Sequence, residues 1–231
     1  MNQRRRGAPD SFVGSASPRP DRPTYIVVEG PIGVGKTTLV RRLVEQLSAR
    51  VQLEMVEGNP FLEEFYRDRD KYAFQTQLFF LLSRYRQQQE LWQPDLFHRY
   101  LLSDYIFTKD RLFASLTLSD NEMLLYDQVF QILDTRVLRP DLVVYMQARM
   151  DVLLDRIKRR GRPFEKNFDA DYLKRVATAY NDYFFHYSEA PLLVVDTSDI
   201  NVVDSEEDCL DIARCILRHR GGVQYYKPLG R

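Results

Sequence analysis

A chain of 231 residues is long enough to bury a full hydrophobic core without metal or disulfide staples. Its 33 basic and 33 acidic residues cancel, so no global field draws in polyanions, and binding to DNA or RNA as a polymer is disfavoured. No apolar run approaches the length of a membrane span and no apolar signal core follows Met1, so the expectation is a cytoplasmic protein without a membrane partner. Cys209 and Cys215 fall in a late helical stretch without His or Cys neighbours at ligand spacing, and read as reduced thiols.

Residues 1–23 are rich in Arg, Pro, Ser and Gly. There Arg4, Arg5, Arg6, Arg19 and Arg22 against Asp10 and Asp21 give a net +3, leaving −3 for the remainder. This composition predicts a disordered basic tail. Its prolines and aspartates work against the amphipathic helix of a transit peptide. A β-branched strand is expected at 25–29, followed by a helix over 38–48 and a second strand at 51–56. Glu57-Gly58-Asn59-Pro60 forms a turn into the segment 61–66. The interval 70–92 carries Phe74, Leu78, Leu81, Leu82 and Tyr85 at helical spacing. A short third strand at 99–102 leads to Ser103-Asp104. Helices follow over 105–115 and 120–137, then a fourth strand at 142–146 and a helix over 150–160 broken by Gly161. The chain continues with a helix over 169–187, a fifth strand at 192–195 and a last helix over 205–219 stopped at Gly221-Gly222. Apolar strands alternating with helices specify a parallel sheet covered on both faces. No linker-like stretch divides residues 24–231, which are expected to form a single domain.

The stretch Gly30-Pro31-Ile32-Gly33-Val34-Gly35-Lys36-Thr37 fits G-x-x-x-x-G-K-[ST], between a predicted strand and a predicted helix that opens at Thr38. Its glycines let backbone N–H groups turn inward around phosphate oxygens, and the helix N-terminus adds a positive dipole end. Lys36 can reach the outer phosphates and the Thr37 hydroxyl can hold Mg²⁺. The expected fold class is therefore α/β: a P-loop three-layer fold with a five-stranded parallel sheet flanked by helices and an Arg-rich lid.

Ligands of open parallel sheets bind beyond the C-terminal strand ends, which selects Glu57 after the second strand and Asp104 after the third. One carboxylate would assist Mg²⁺, and the other would take a proton from an attacking hydroxyl. Each could instead cap the following helix, although Glu is a poor capping type. Gln77 and Arg84 share a face of the long helix and could read the edge of a base or simply be solvated. Arg156, Lys158, Arg159, Arg160 and Arg162 surround Gly161, either as a lid over phosphates or as a basic helix end matched to the dipole.

With these motifs in this order, the chain resembles the deoxynucleoside kinases, closest to the bacterial deoxyadenosine/deoxyguanosine kinase branch, from Tyr25 to about residue 229. Glu57-Gly58-Asn59-Pro60-Phe61-Leu62 is similar to the family's catalytic-glutamate segment. Phe74-Gln75-Thr76-Gln77 with Ser83-Arg84 is similar to its base-reading helix, and Pro140-Asp141-Leu142 and Gln224-Tyr225-Tyr226 are further matches. The resemblance implies ATP as phosphate donor, Mg²⁺, a small deoxynucleoside as acceptor and a homodimer. It implies that Glu57 accepts the 5′-hydroxyl proton and that Gln77, Arg84 and Asp110 hold the base. Tyr66 and Glu165 would hold the 3′-hydroxyl, and Arg156, Arg160 and Arg162 would be lid arginines. Asp196-Thr197-Ser198-Asp199 would pack against adenine. The chain departs from the family at Asp104-Tyr105-Ile106, where an arginine normally follows the acid; Lys109 or Arg111 would have to substitute. Two other activities fit parts of the pattern, a thymidylate-like nucleoside monophosphate kinase and a catalytically weak nucleotide-binding regulator.

Overall fold

Six strands, one more than expected, build a single parallel sheet in the order β2-β3-β1-β4-β5-β6. The computed structural model describes residues 23–55, 58–93, 95, 97–162, 169–203 and 205–227; apart from Pro23, the expected tail lies outside them. At the centre, β1 (Thr24–Glu29) pairs with β3 (Tyr100–Ser103) on one side and β4 (Leu142–Gln147) on the other. β2 (Arg50–Gln52) forms one edge, while β5 (Leu192–Asp196) and β6 (Val223–Tyr226) extend the other. The extra strand β6 follows a turn at Gly221 and Gly222, both at positive φ. It is a half-exposed edge containing two tyrosines, not the apolar run that marks a central strand. The second strand ends at Gln52 instead of 56, because the Glu54 N–H bonds to the Asp104 side chain and not to a neighbouring strand.

The helices are α1 (Lys36–Leu47), α2 (Leu62–Arg67), α3 (Arg69–Glu90), α4 (Lys109–Thr117), α5 (Asp120–Asp134), α6 (Met150–Arg160), α7 (Ala170–Phe185) and α8 (Glu206–Arg218). Strand residues alternate between two cores. Ile26, Val28, Val144 and Val195 meet α1, α6 and α8 through Leu39, Leu153 and Ile212. Val27, Val143, Tyr145 and Val194 meet Phe65 of α2 and Tyr172, Tyr180 and Phe184 of α7. A third cluster, including Leu81, Ala114, Tyr126 and Phe130, joins α3, α4 and α5. Each fully buried side chain of this kind contributes roughly 1.5–3 kcal/mol, so the sheet is pinned from both faces. Helix α4 begins at Lys109, later than the expected residue 105. Residues 105–107 are instead packed into the core, and the Ser103 hydroxyl donates to the Tyr105 carbonyl. Among the described residues no helix is long and apolar enough to cross a membrane.

Candidate active site

The C-terminal end of β1 runs straight into the phosphate loop. Gly30 has φ +153°, and a Cβ there would lie 2.2 Å from the Met146 carbonyl oxygen; at Gly33, with φ +86°, it would lie 2.8 Å from that of Leu153. Both positions therefore demand glycine. Gly35 precedes α1 in a left-handed conformation without a side-chain cap, leaving the first helical N–H groups to an anion. The Lys36 ammonium donates to the Gly30 carbonyl at 2.6 Å and stands 3.7 Å from Glu29. Burial lowers its pKa, and the Glu29 charge opposes that shift.

Asp104 ties this loop to the segment after β2. One of its oxygens accepts from the Thr37 hydroxyl at 2.5 Å, the other from the Glu54 N–H at 2.7 Å. It does not cap α4, whose preceding residue is Thr108. Burial raises the Asp104 pKa, and the neighbouring Glu54 charge adds to the rise while the Thr37 bond opposes it. The Thr37–Asp104 pair is a set of hard oxygen donors, which fits Mg²⁺: that ion takes one or two carboxylates and completes its shell with phosphate and water. Among the described residues no group of three or more His, Cys, Asp or Glu surrounds a metal position.

Glu57 lies outside the described residues; among the described residues the cleft is lined, besides Asp104, by the carboxylate of Glu54, which the sequence places inside the expected second strand. Its Oε2 accepts from the Lys109 ammonium at 2.7 Å, and its Oε1 from Arg84 Nε at 3.1 Å. The other arm of Arg84 pairs with the fully buried Asp110. Burial alone would raise the Glu54 pKa, but Arg84 and Lys109 hold the carboxyl well below the usual carboxylate range. Of the two candidates for the missing arginine's role, Arg111 is turned outward onto Asp127 at 2.8 Å. Lys109 is buried beside Glu54, 3.8 Å from Glu29 and 5.9 Å from the Tyr105 ring centroid.

Glu29 escaped the sequence reading, although a fully buried charge closing an apolar strand is itself a signal. It accepts from the N–H groups of Gly30 and Ile106 at 2.8 and 2.9 Å and from the Tyr180 hydroxyl at 3.0 Å. It thus joins β1, α7 and the chain after β3 behind the two lysines.

A cleft of about 1180 Å³ is lined by Lys36, Thr37, Glu54, Asp104 and Lys109, larger than the roughly 300–1,000 Å³ of a single small-ligand pocket. Tyr66, Gln77, Phe80, Arg84 and Phe113 line one part of it, and Arg156, Arg160, Arg162, Ser198 and Ile200 another. Glu165 lies outside the described residues. Arg156 is drawn inward, donating to the carbonyls of Val34, Thr197 and Ile200 and to the Thr197 hydroxyl at 2.8–3.1 Å. Arg160 is exposed on the last turn of α6.

A phosphate loop facing a walled acceptor pocket across a carboxylate defines a P-loop phosphotransferase. The chain belongs to the deoxynucleoside kinase family, whose profile matches residues 26–219. It is 36% identical to a deoxyguanosine kinase of Bacillus subtilis over 179 residues, covering 76% of this chain and 86% of that protein. It is 35% identical to a deoxyadenosine kinase of Dictyostelium discoideum over 188 residues, covering 80% and 76%. The fold is similar to deoxyadenosine kinase from M. mycoides with bound dATP, at a TM-score of 0.73 and 22% identity over 84% of this chain and 98% of that one.

Proposed function

We propose that the protein transfers the γ-phosphoryl group of ATP to the 5′-hydroxyl of a deoxynucleoside, a purine deoxynucleoside or deoxycytidine, for nucleotide salvage. The observation that carries this proposal is the Glu54 carboxylate, held between Lys109 and Arg84 on the cleft wall and linked through Asp104 to the phosphate loop. A monophosphate acceptor needs no such base, whereas a hydroxyl acceptor does. The relatives support the acceptor class: they are a deoxyguanosine kinase and deoxyadenosine kinases, one of the latter solved with dCTP and with dATP.

In this assignment Glu54, in place of Glu57, orients the 5′-hydroxyl and receives its proton as the new P–O bond forms and the bond to ADP breaks. The cations Lys36, Lys109, Arg160 and Arg162 stabilise charge on the transferred group. Thr37 and Asp104 would hold Mg²⁺, which supplies charge neutralisation between the outer phosphates when bound. Gln77, Arg84 and Asp110 hold the base, and Tyr66 with Glu165 the 3′-hydroxyl. We further assign residues 24–231 to a single cytoplasmic kinase domain with a basic tail, acting as a homodimer. Exposed Leu124, Leu125 and Ile132 on α5 are apolar surface suited to helix–helix contact between copies.

The test is incubation with Mg²⁺-ATP and, separately, each of the four deoxynucleosides and dTMP. Phosphorylation of deoxyadenosine, deoxyguanosine or deoxycytidine is expected. Exclusive use of dTMP would make the protein a monophosphate kinase, and tight ATP binding without acceptor-dependent ADP release would make it a regulator.

A further inference from the structure

We propose that Thr117, a residue behind the cleft wall, fixes the sense of the Gln77 amide and thereby selects which purine edge the site accepts. The proposal rests on the proposed kinase function, with Gln77 as the group that meets the base.

Gln77 is 3% exposed and lines the cleft. Its Nε2 donates to the Thr117 hydroxyl oxygen at 3.2 Å. Thr117 is the last residue of α4, and its own hydroxyl hydrogen is committed to the Phe113 carbonyl at 2.8 Å, the back-bond to the preceding helical turn that threonine favours. A hydroxyl has one hydrogen. Once that hydrogen is spent on Phe113, Thr117 can only accept from Gln77. A flipped amide would set the carbonyl oxygen of Gln77 against the lone pairs of Thr117 and lose the buried hydrogen bond between them. One amide sense is therefore fixed, with Oε1 and the second N–H left for the base.

The consequence lies in the order of donor and acceptor. Adenine presents an exocyclic N–H donor beside a ring-nitrogen acceptor on its Watson–Crick edge. Hypoxanthine presents a carbonyl acceptor beside a ring N–H donor, the same two groups reversed. In one base pose, a Gln amide of fixed sense pairs with one edge and opposes the other. Thr117 is not among the residues that line the cleft, whereas Gln77 is; it is a positioning residue acting through Gln77.

The experiment measures kcat and KM for deoxyadenosine and deoxyinosine, which share sugar and purine frame, with the wild-type protein, Thr117→Val and Thr117→Ser. The wild type is expected to favour one of them by about tenfold or more in kcat/KM. Thr117→Val, which keeps the shape and loses the hydroxyl, is expected to bring the ratio to within about threefold, through KM and with little change in kcat. Thr117→Ser keeps the hydroxyl and should restore the discrimination. Thr117→Ala replaces the valine variant if that protein does not fold. An unchanged ratio in Thr117→Val, a wild type without preference, or an equal loss of kcat for both nucleosides would each overturn the proposal. A wild type inactive on every deoxynucleoside would instead overturn the kinase function and this inference with it.

Discussion

The Lys109 ammonium lies 2.7 Å from the Glu54 carboxylate, on the cleft wall and 3% exposed. Two forces oppose a cation there. Lys109 is the first residue of α4, at the positive end of the helix dipole, and burial penalises its charge. Glu54 and Glu29 offset both, holding the ammonium four residues beyond Tyr105, the position where the family resemblance implies an arginine. A residue placed against local propensity but compensated by its neighbours is expected at a functional site.

Lys109→Met should therefore lower kcat by about two to three orders of magnitude while ATP affinity changes little, as expected of a charge stabiliser at the reacting centre. Lys109→Arg should recover part of the loss. Arg111→Ala should behave as wild type, since Arg111 points away toward Asp127. Steady-state kinetics beside equilibrium ATP binding separates these outcomes. Full activity in Lys109→Met would remove the residue from the reaction.

The base assignment divides two glutamates three positions apart. Glu54→Gln is expected to reduce kcat by about 10²-fold or more with ATP binding preserved, whereas Glu57→Gln should stay within a fewfold of wild type. The variant should still fold: Arg84 retains Asp110 and Lys109 retains Glu29 as partners. The reverse pattern of losses would return the base role to Glu57.

Glu54 and Asp104, joined through the Glu54 N–H, are shifted in opposite directions, and acid should therefore affect them differently. Glu54 lies well below its ordinary value of 4.5, so its ion pairs contribute stability that is full above that value and fades as pH falls below it. Thermal unfolding curves of the wild type and Glu54→Gln should differ at pH 7 and converge in acid. Asp104 is shifted upward from 3.8 by burial, so it is the first of the pair to protonate as pH falls. The acid limb of kcat/KM should thus lie above pH 3.8 and move downward as Mg²⁺ is raised, because the ion competes with the proton. An acid limb insensitive to Mg²⁺ would exclude Asp104 as its origin.

The parallel sheet, the phosphate loop and most helices were legible because each rests on local periodicity or a motif with a backbone requirement, as at Gly30 and Gly33. Glu54 was not. Extending the second strand to 56 made Glu57 the first residue past its end, whereas Asp104 captures the Glu54 N–H and ends the strand at Gln52. That competition joins residues 50 positions apart, and spacing carries no trace of it. Strand β6 was missed for a related reason: its half-exposed edge needs no apolar run, and only the neighbouring β5 makes it a strand. Lys109 and Arg111 are equivalent as substitutes for an arginine at the level of sequence; only the fold shows that Lys109 lines the cleft while Arg111 turns onto Asp127.

Arg156 bears most directly on the ATP side of the cleft. Its guanidinium, half buried and lowered in pKa by that burial, bridges α6 to the Val34 carbonyl in the phosphate loop and to the Thr197 and Ile200 carbonyls after β5. With its donors occupied in this way, Arg156 holds the segment that the family resemblance assigns to adenine against the phosphate loop. Lysine keeps the charge but lacks the planar fork that reaches three carbonyls at once. Arg156→Lys is therefore expected to raise KM for ATP about tenfold or more, each lost charge-assisted bond counting for roughly 1.5–3 kcal/mol, with KM for the deoxynucleoside nearly unchanged. Arg160→Ala, on the exposed last turn of the same helix, should act mainly on kcat. If Arg156→Lys instead lowered kcat and left KM for ATP untouched, Arg156 would belong with the groups that stabilise the transferred phosphoryl, and the clamp would have to be carried by the hydrogen bond between the Thr197 N–H and the Gln147 carbonyl at 2.8 Å.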